Sequence, residues 1–231
     1  YADSLNHEIT FVTIPKNNKK NINQLFNDCD IEIERLISRT FSLGVQLLKY
    51  NELELGSAII DLGFEKISLG LFKNLALVHS ITFPFGVNHI TKDISKVCSL
   101  SFEESENIRN NIDFTFQNNQ KIFDSNNYLK NEYVINSVFR KISKDLILNV
   151  VKARLDEIFD SLKSQLIVPG FNLSTGINLK LTGGGANLNN IEKCFANFFG
   201  LKVENSIINR EEKYPAPCLG ALKIIKDGWE T

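Results

Sequence analysis

The sequence predicts an α/β fold on three observations. Three apolar, β-branched runs crowd residues 57–83 with no room for a helix between them, and an amphipathic helical pattern fills 135–166. A further strand at 177–181 runs straight into Thr182-Gly183-Gly184-Gly185-Ala186-Asn187. Strand-sized runs joined by two or three residues must pair antiparallel, whereas a strand followed by glycines and a helix is the start of a parallel unit.

Composition bounds the rest. The 231 residues are 43% hydrophobic and 23% charged, ordinary values for a packed globular chain. Lys+Arg 26 against Asp+Glu 27 leaves a net charge of −1, which argues against a nucleic-acid partner. No apolar run reaches the ~18 residues of a membrane-spanning helix and no leader opens the chain, so it reads as soluble. A chain that begins at Tyr1 and holds no Met reads as a piece of a longer protein. Cys29, Cys98, Cys194 and Cys218 lie far apart without CxxC spacing and are expected to be buried, reduced thiols.

In chain order, residues 8–14 read as a strand, broken by Pro15 and the polar cluster 17–21. Ile22, Leu25 and Phe26 suggest a short helix, Ile31-Glu32-Ile33 a short strand, and 41–48 a buried helix. Strands follow at 57–63, 66–72 and 75–83, with Lys73-Asn74 as the hairpin turn. Helical patterns at 88–98 and 102–111 precede a polar, Asn-rich stretch at 113–134, expected as strands and loops of an exposed subdomain. The long helix carries Leu148, Val151, Leu155, Phe159 and Leu162 on one stripe and is closed by Pro169-Gly170. After the glycines a helix is expected from about Leu188, and a last one at 218–226.

Two places suit chemistry. Glycines after a strand let backbone approach a ligand closely, and the N-terminus of the following helix favours a phosphate; a tight turn needing glycine for geometry alone is the plainer alternative. Asp61-Leu62-Gly63 puts a carboxylate at the end of a buried strand, where it suits a hydrated Mg²⁺ or simply a turn. His79, Ser80, His89 and Asp93 form no triad on spacing alone.

These motifs, in this order, resemble the actin-like ATPase superfamily and, within it, the FtsA cell-division family. The segment from Ile81-Thr82-Phe83-Pro84-Phe85-Gly86 through Asn88-His89-Ile90-Thr91-Lys92-Asp93-Ile94 is similar to that family's IPxGGNHxTxDIA. Phe102-Glu103-Glu104-Ser105-Glu106-Asn107-Ile108-Arg109 resembles its LEEAExIK, residues 151–162 its RxEEIFE, and 181–188 its adenosine loop. The resemblance implies an actin-like (ribonuclease H-like) lobe, a mixed sheet flanked by helices, with a smaller α/β subdomain. Residues 1–50 would end the inserted subdomain 1C and complete the first lobe. Residues 51–88 and 176–215 would form subdomain 2A, 89–175 subdomain 2B, and 216–231 a helix returning to the first lobe. The first phosphate loop and the membrane-targeting tail would lie outside this chain.

The resemblance further implies ATP with Mg²⁺, held by Asp61, Gly63 and Lys66 of a second phosphate loop, Glu106 and Arg109 near the adenosine, and Gly183, Gly184, Gly185 and Asn187 of the adenosine loop. It implies self-association into protofilaments, contact with other division proteins, and grip on the FtsZ C-terminal tail through Arg140, Lys144 and Arg154. It places the protein in the cytoplasm, peripheral on the membrane at the division site. One departure stands out: Phe64 replaces a glycine of the family's DIGGGTTD, and a loop needing φ > 0 there would be strained. Activity is then at most a weak ATPase. The alternatives are a PilM-like pilus-assembly adaptor, a sugar or acetate kinase of the same superfamily, and a nucleotide-free scaffold.

Overall fold

Strand β1 (Ser57–Leu62) is buried along its whole length, as befits a strand covered on both faces. Successive side chains point to opposite faces, so Ala58, Ile60 and Leu62 enter one core while Ile59 enters another. β2 (Ile67–Lys73) and β3 (Ala76–Phe83) complete an antiparallel meander with it. Their hairpin turns one residue later than the sequence suggests, on Asn74 and Leu75, both at positive φ. Amides of both are tied to carbonyls of Glu54 and Leu53, which holds Leu75 in that unfavourable region. β4 (Asn178–Thr182) then pairs with β1 in parallel, and β5 (Val203–Asn205) pairs with β4 in parallel. The result is a mixed five-stranded sheet in the order β3-β2-β1-β4-β5.

The computed structural model describes residues 9, 11–135, 141–167, 178–205 and 214–227. On one side of the sheet the larger core takes in α4 (Asn88–Cys98), α5 (Phe102–Asn111), α6 (Lys144–Gln165) and α7 (Ile191–Phe199). On the other, α2 (Arg39–Leu47), α3 (Tyr50–Leu55) and α8 (Ala216–Asp227) cover Ile59, Phe72 and Leu77. α2 and α8 meet through a glycine: a Cβ on Gly220 would run into the Ser42 carbonyl, and Ser42 Oγ donates to the Pro217 carbonyl beside it. No described helix is long and apolar enough to cross a membrane.

Several expectations are corrected. Residues 9 and 11–14 carry no strand, and Phe11 is 79% exposed, because β-branched composition makes a strand only where a neighbour supplies hydrogen bonds. Residues 31–33 likewise remain irregular. The polar cluster 17–21 does not break the chain but lies inside α1 (Lys16–Asn27), which buries no residue. The 113–134 stretch is only partly exposed: Phe114, Ile122, Phe123, Leu129 and Tyr133 belong to the core, and short bridges pair Phe123 with Leu129 and Tyr128 with Ser143. α6 starts at Lys144, where Ser143 Oγ accepts from the Leu146 amide at 3.3 Å. The closing Pro169-Gly170 lies outside the described residues. Cys98 is buried and Cys194 half-buried, its thiol pushed up to about 11 by burial and then by Asp156, but Cys29 and Cys218 are exposed; none of the four is in a disulfide.

Candidate functional site

β1 and β4 run in parallel and end side by side, with Asp61 opposite Thr182. The crevice beyond the carboxyl ends of such strands is where open α/β sheets bind ligands. Asp61 is 4% exposed, and its Oδ2 accepts from Arg39 Nε at 2.5 Å. Its Oδ1 and the Thr182 Oγ1 beside it are buried without a protein partner. Buried polar atoms left unpaired are costly, and each asks for an explanation.

After β1 the chain turns at Gly63, whose amide donates to the Lys66 carbonyl at 3.0 Å. The tip, Phe64-Glu65-Lys66, is clamped to the start of α4. The Asn88 amide donates to the Phe64 carbonyl at 2.9 Å, Asn88 Nδ2 to Glu65 Oε1 at 2.5 Å, and Lys92 pairs with Glu65 at 3.5 Å. Phe64 is absent from the residues at positive φ, so the strain that a glycine-type loop would impose there does not arise. Lys66 is exposed and borders the same cleft as Asp61, Gly63 and Arg39, about 610 Å³ in volume.

After β4, Gly183 takes φ 86° and ψ 172°, a region essentially closed to other residues. A single 3₁₀ turn (Gly184–Asn187) follows, and α7 begins only at Ile191 after Asn190 at φ 58°. The helix therefore starts later than Leu188, and the amides nearest the glycines belong to the 3₁₀ turn rather than to a long helix. Gly184 borders open space, while Gly185 packs against Leu62 and Val87. Gly184, Gly185 and Asn187 line a second cleft of about 440 Å³ together with Arg109 and Phe64. Phe64 is thus common to both clefts.

Arg109 is not the surface half of an ion pair. It is 5% exposed, donates to Thr91 Oγ1 at 2.8 Å and to Glu106 Oε1 at 3.0 Å, and its guanidinium carbon lies 5.8 Å from the Phe64 ring centre. Burial lowers its pKa and the neighbouring Glu106 opposes that shift. The residues expected at a nucleotide are therefore brought together: Asp61, Gly63 and Lys66 at one cleft, Arg109, Gly184, Gly185 and Asn187 at the other, with Gly183 against Asp61 and Glu106 behind Arg109. Nothing in the residue order pointed to Arg39, which reaches Asp61 through tertiary pairing alone, and Thr182 was visible as the start of the glycine motif but not as the strand neighbour of Asp61.

The three cations expected at a partner peptide are placed differently. Arg140 lies outside the described residues. Lys144 opens α6, its amide bonded to the Asn127 carbonyl at 2.8 Å. Arg154 is committed to Asp93 on α4 and to Glu157, each at 2.5 Å, and the hydrogen bond to Asp93 raises its pKa.

The two clefts meet at Phe64 and together suit a nucleotide: the missing Cβ of Gly184 opens on space beside one of them, and the unpaired Asp61 Oδ1 and Thr182 Oγ1 sit at the strand ends. A divalent cation fits less well, since the outward oxygen of Asp61 is already taken by Arg39. Among the described residues no group of three or more His, Cys, Asp or Glu is arranged to hold a metal.

The family model for cell division protein FtsA matches residues 58–218. The chain is 24% identical over 188 residues to cell division protein FtsA of Agrobacterium fabrum, covering 81% of this chain and 42% of that protein. It is 25% identical over 225 residues to FtsA of Buchnera aphidicola subsp. Acyrthosiphon pisum, covering 91% and 52%. It spans about half the length of the curated relatives it matches. Among solved structures, MreB 5 of Spiroplasma citri bound to AMPPNP superposes with a TM-score of 0.65 at 19% identity, covering 93% of this chain and 66% of that one. At that identity the likeness establishes the fold, which is actin-like and carries the expected mixed sheet flanked by helices.

Proposed function

We propose that this chain, which belongs to the FtsA family of cell-division proteins, is the nucleotide-facing lobe of an actin-like division adaptor. The reading is carried by one juxtaposition: the Asp61 hairpin and the Gly183–Gly185 turn meet at the ends of two parallel strands, each beside a cleft. Adenosine would lie against Gly184, Gly185 and Asn187 with Arg109, and Glu106 would hold Arg109 in place. The phosphates would point toward Gly63 and Lys66, across Phe64. Subdomain 2A would comprise 51–88 and 176–215, and subdomain 2B residues 89–175, beside the end of the first lobe at 1–50 and the returning helix at 216–231. The adaptor would self-associate, grip the FtsZ tail and hold it at the membrane.

A fluorescent ATP analogue titrated into the folded chain tests the first part. Micromolar binding, about −8 kcal/mol, displaced by unlabelled ATP, is the expected outcome. Phe64→Gly should tighten it about tenfold, because the ring stands between the two clefts and a phosphate chain must pass it. No binding by either variant favours a second reading, a nucleotide-free scaffold, for which the Phe64–Arg109 contact already speaks.

The partner half has its own test. Calorimetric titration with an acidic, apolar FtsZ tail peptide should give micromolar affinity that Arg140→Glu removes, since charge-assisted bonds around a buried anchor depend on the sign of the charge. Unchanged binding by that variant moves the peptide site away from Arg140. Arg154→Glu is a poorer probe, because it also breaks the tie between α6 and α4.

A further inference from the structure

We infer that Arg39 takes the place of a divalent cation at Asp61, so that this site works on phosphate without a resident metal. The inference rests on the nucleotide reading for its ligand, but not for its geometry.

Asp61 has two oxygens and neither is open to a hydrated ion. Oδ1 is enclosed beside Gly183 with no partner, and Oδ2 is held by Arg39 Nε at 2.5 Å. Mg²⁺ demands a near-octahedral shell of oxygens and is usually held through one or two carboxylates, with waters filling the rest. The other carboxylate at the cleft, Glu65, is engaged by Asn88 Nδ2 and Lys92. No acidic cluster remains among the described residues to supply a second ligand.

Arg39 meanwhile has the means to do the cation's work. It opens α2, on the opposite layer from α4, and reaches across to the end of β1. Its side chain is 59% exposed although that of Asp61 is 5% exposed, so the guanidinium caps the carboxylate while facing the cleft. A guanidinium has five N–H donors in a rigid fork that matches phosphate oxygens, and among the described residues only Nε is committed. Lys66 borders the same space. The ligand class that follows is a phosphate or polyphosphate anion that arrives without its metal.

Manganese alone is the first probe, followed by paramagnetic resonance on the folded chain. The wild type should bind no more Mn²⁺ than Asp61→Asn does, whereas Arg39→Gln should bind it about tenfold more tightly. Mn²⁺ binding by the wild type that Asp61→Asn removes overturns the inference, as does an Arg39→Gln chain no better than the wild type. Arg39→Lys, which keeps a charge at the site, serves if the glutamine variant unfolds; it should bind no Mn²⁺, and a gain there is equally fatal. The second arm titrates ATP with Mg²⁺ and again with EDTA. The wild-type affinity should change less than about twofold, and Arg39→Gln should lose about tenfold in EDTA and recover with Mg²⁺. An ATP affinity that collapses in EDTA overturns the inference, while failure to bind ATP in both buffers sinks the nucleotide reading and leaves the manganese result to decide this one.

Discussion

Gly183→Val is expected to abolish nucleotide binding and to destabilise the fold together, an outcome that Gly184→Ala next door will not share. Gly183 sits at φ 86° and ψ 172°, where a side chain costs about 1–3 kcal/mol in backbone strain alone. Its Cβ would also stand 2.7 Å from the Leu62 carbonyl oxygen, closer than real contacts allow, and would press on Asp61 Oδ1. Relief requires β4 to move away from β1 at the very point where Asp61 faces Thr182, so the cost falls on both sheet and cleft. Gly184 has nothing within 4 Å of its Cβ position and no positive φ. Its alanine variant should therefore unfold at the same urea concentration as the wild type within error, while its methyl group enters the adenosine cleft and weakens binding. Urea titration of both variants beside the nucleotide titration separates strain from occlusion. Equal stability for Gly183→Val and wild type would mean that this turn is not built as described.

The two glycines also show what the chain discloses and what it withholds. The meander β1–β3 and helices α4 and α5 could be read locally: β-branched runs with connectors too short for a crossover admit one pairing, and apolar spacing marked both helices. The glycine turn was visible as a motif, and the resemblance to a known family assigned it a role. What escaped was every feature that depends on partners distant in sequence. Arg39 and Asp61 are joined only because α2 packs across the end of β1. Residues 9 and 11–14 have the composition of a strand but, among the described residues, no neighbour to complete it, and the polar run at 113–134 hides Phe114 and Phe123, which reach the core singly rather than on a period. Tyr50–Leu55 was missed because a helix of six residues shows less than two turns of pattern.

That short helix carries the other large effect, through Glu52. Its carboxylate accepts from Lys180 Nζ at 3.0 Å, from the Lys49 amide at 2.7 Å and from Asn178 Nδ2 at 3.3 Å, and both members of the ion pair are more than nine-tenths buried. Lys180 in turn donates to the Leu47 carbonyl, so α2, α3 and β4 are tied at one point. Removing Glu52 leaves the buried Lys180 with only the part-exposed Glu204, 3.6 Å away, and Glu52→Ala should cost about 3 kcal/mol in urea unfolding, the low end for breaking a buried pair. Glu52→Leu with Lys180→Met should cost clearly less than the two single changes added, because the double variant strands no charge. Acid lability carries the same signature. Burial pushes the Glu52 carboxyl up, but the bonds from Lys49, Lys180 and Asn178 outweigh it and its pKa is lowered. A carboxylate with a depressed folded-state pKa adds stability above its unfolded value, about 4.3, and loses it as pH falls through the folded one. The wild type should therefore lose stability on acidification below about pH 4, and Glu52→Gln, which cannot titrate, should show a shallower slope over the same interval. Parallel slopes would mean that the carboxylate holding α3 to β4 is some other than Glu52.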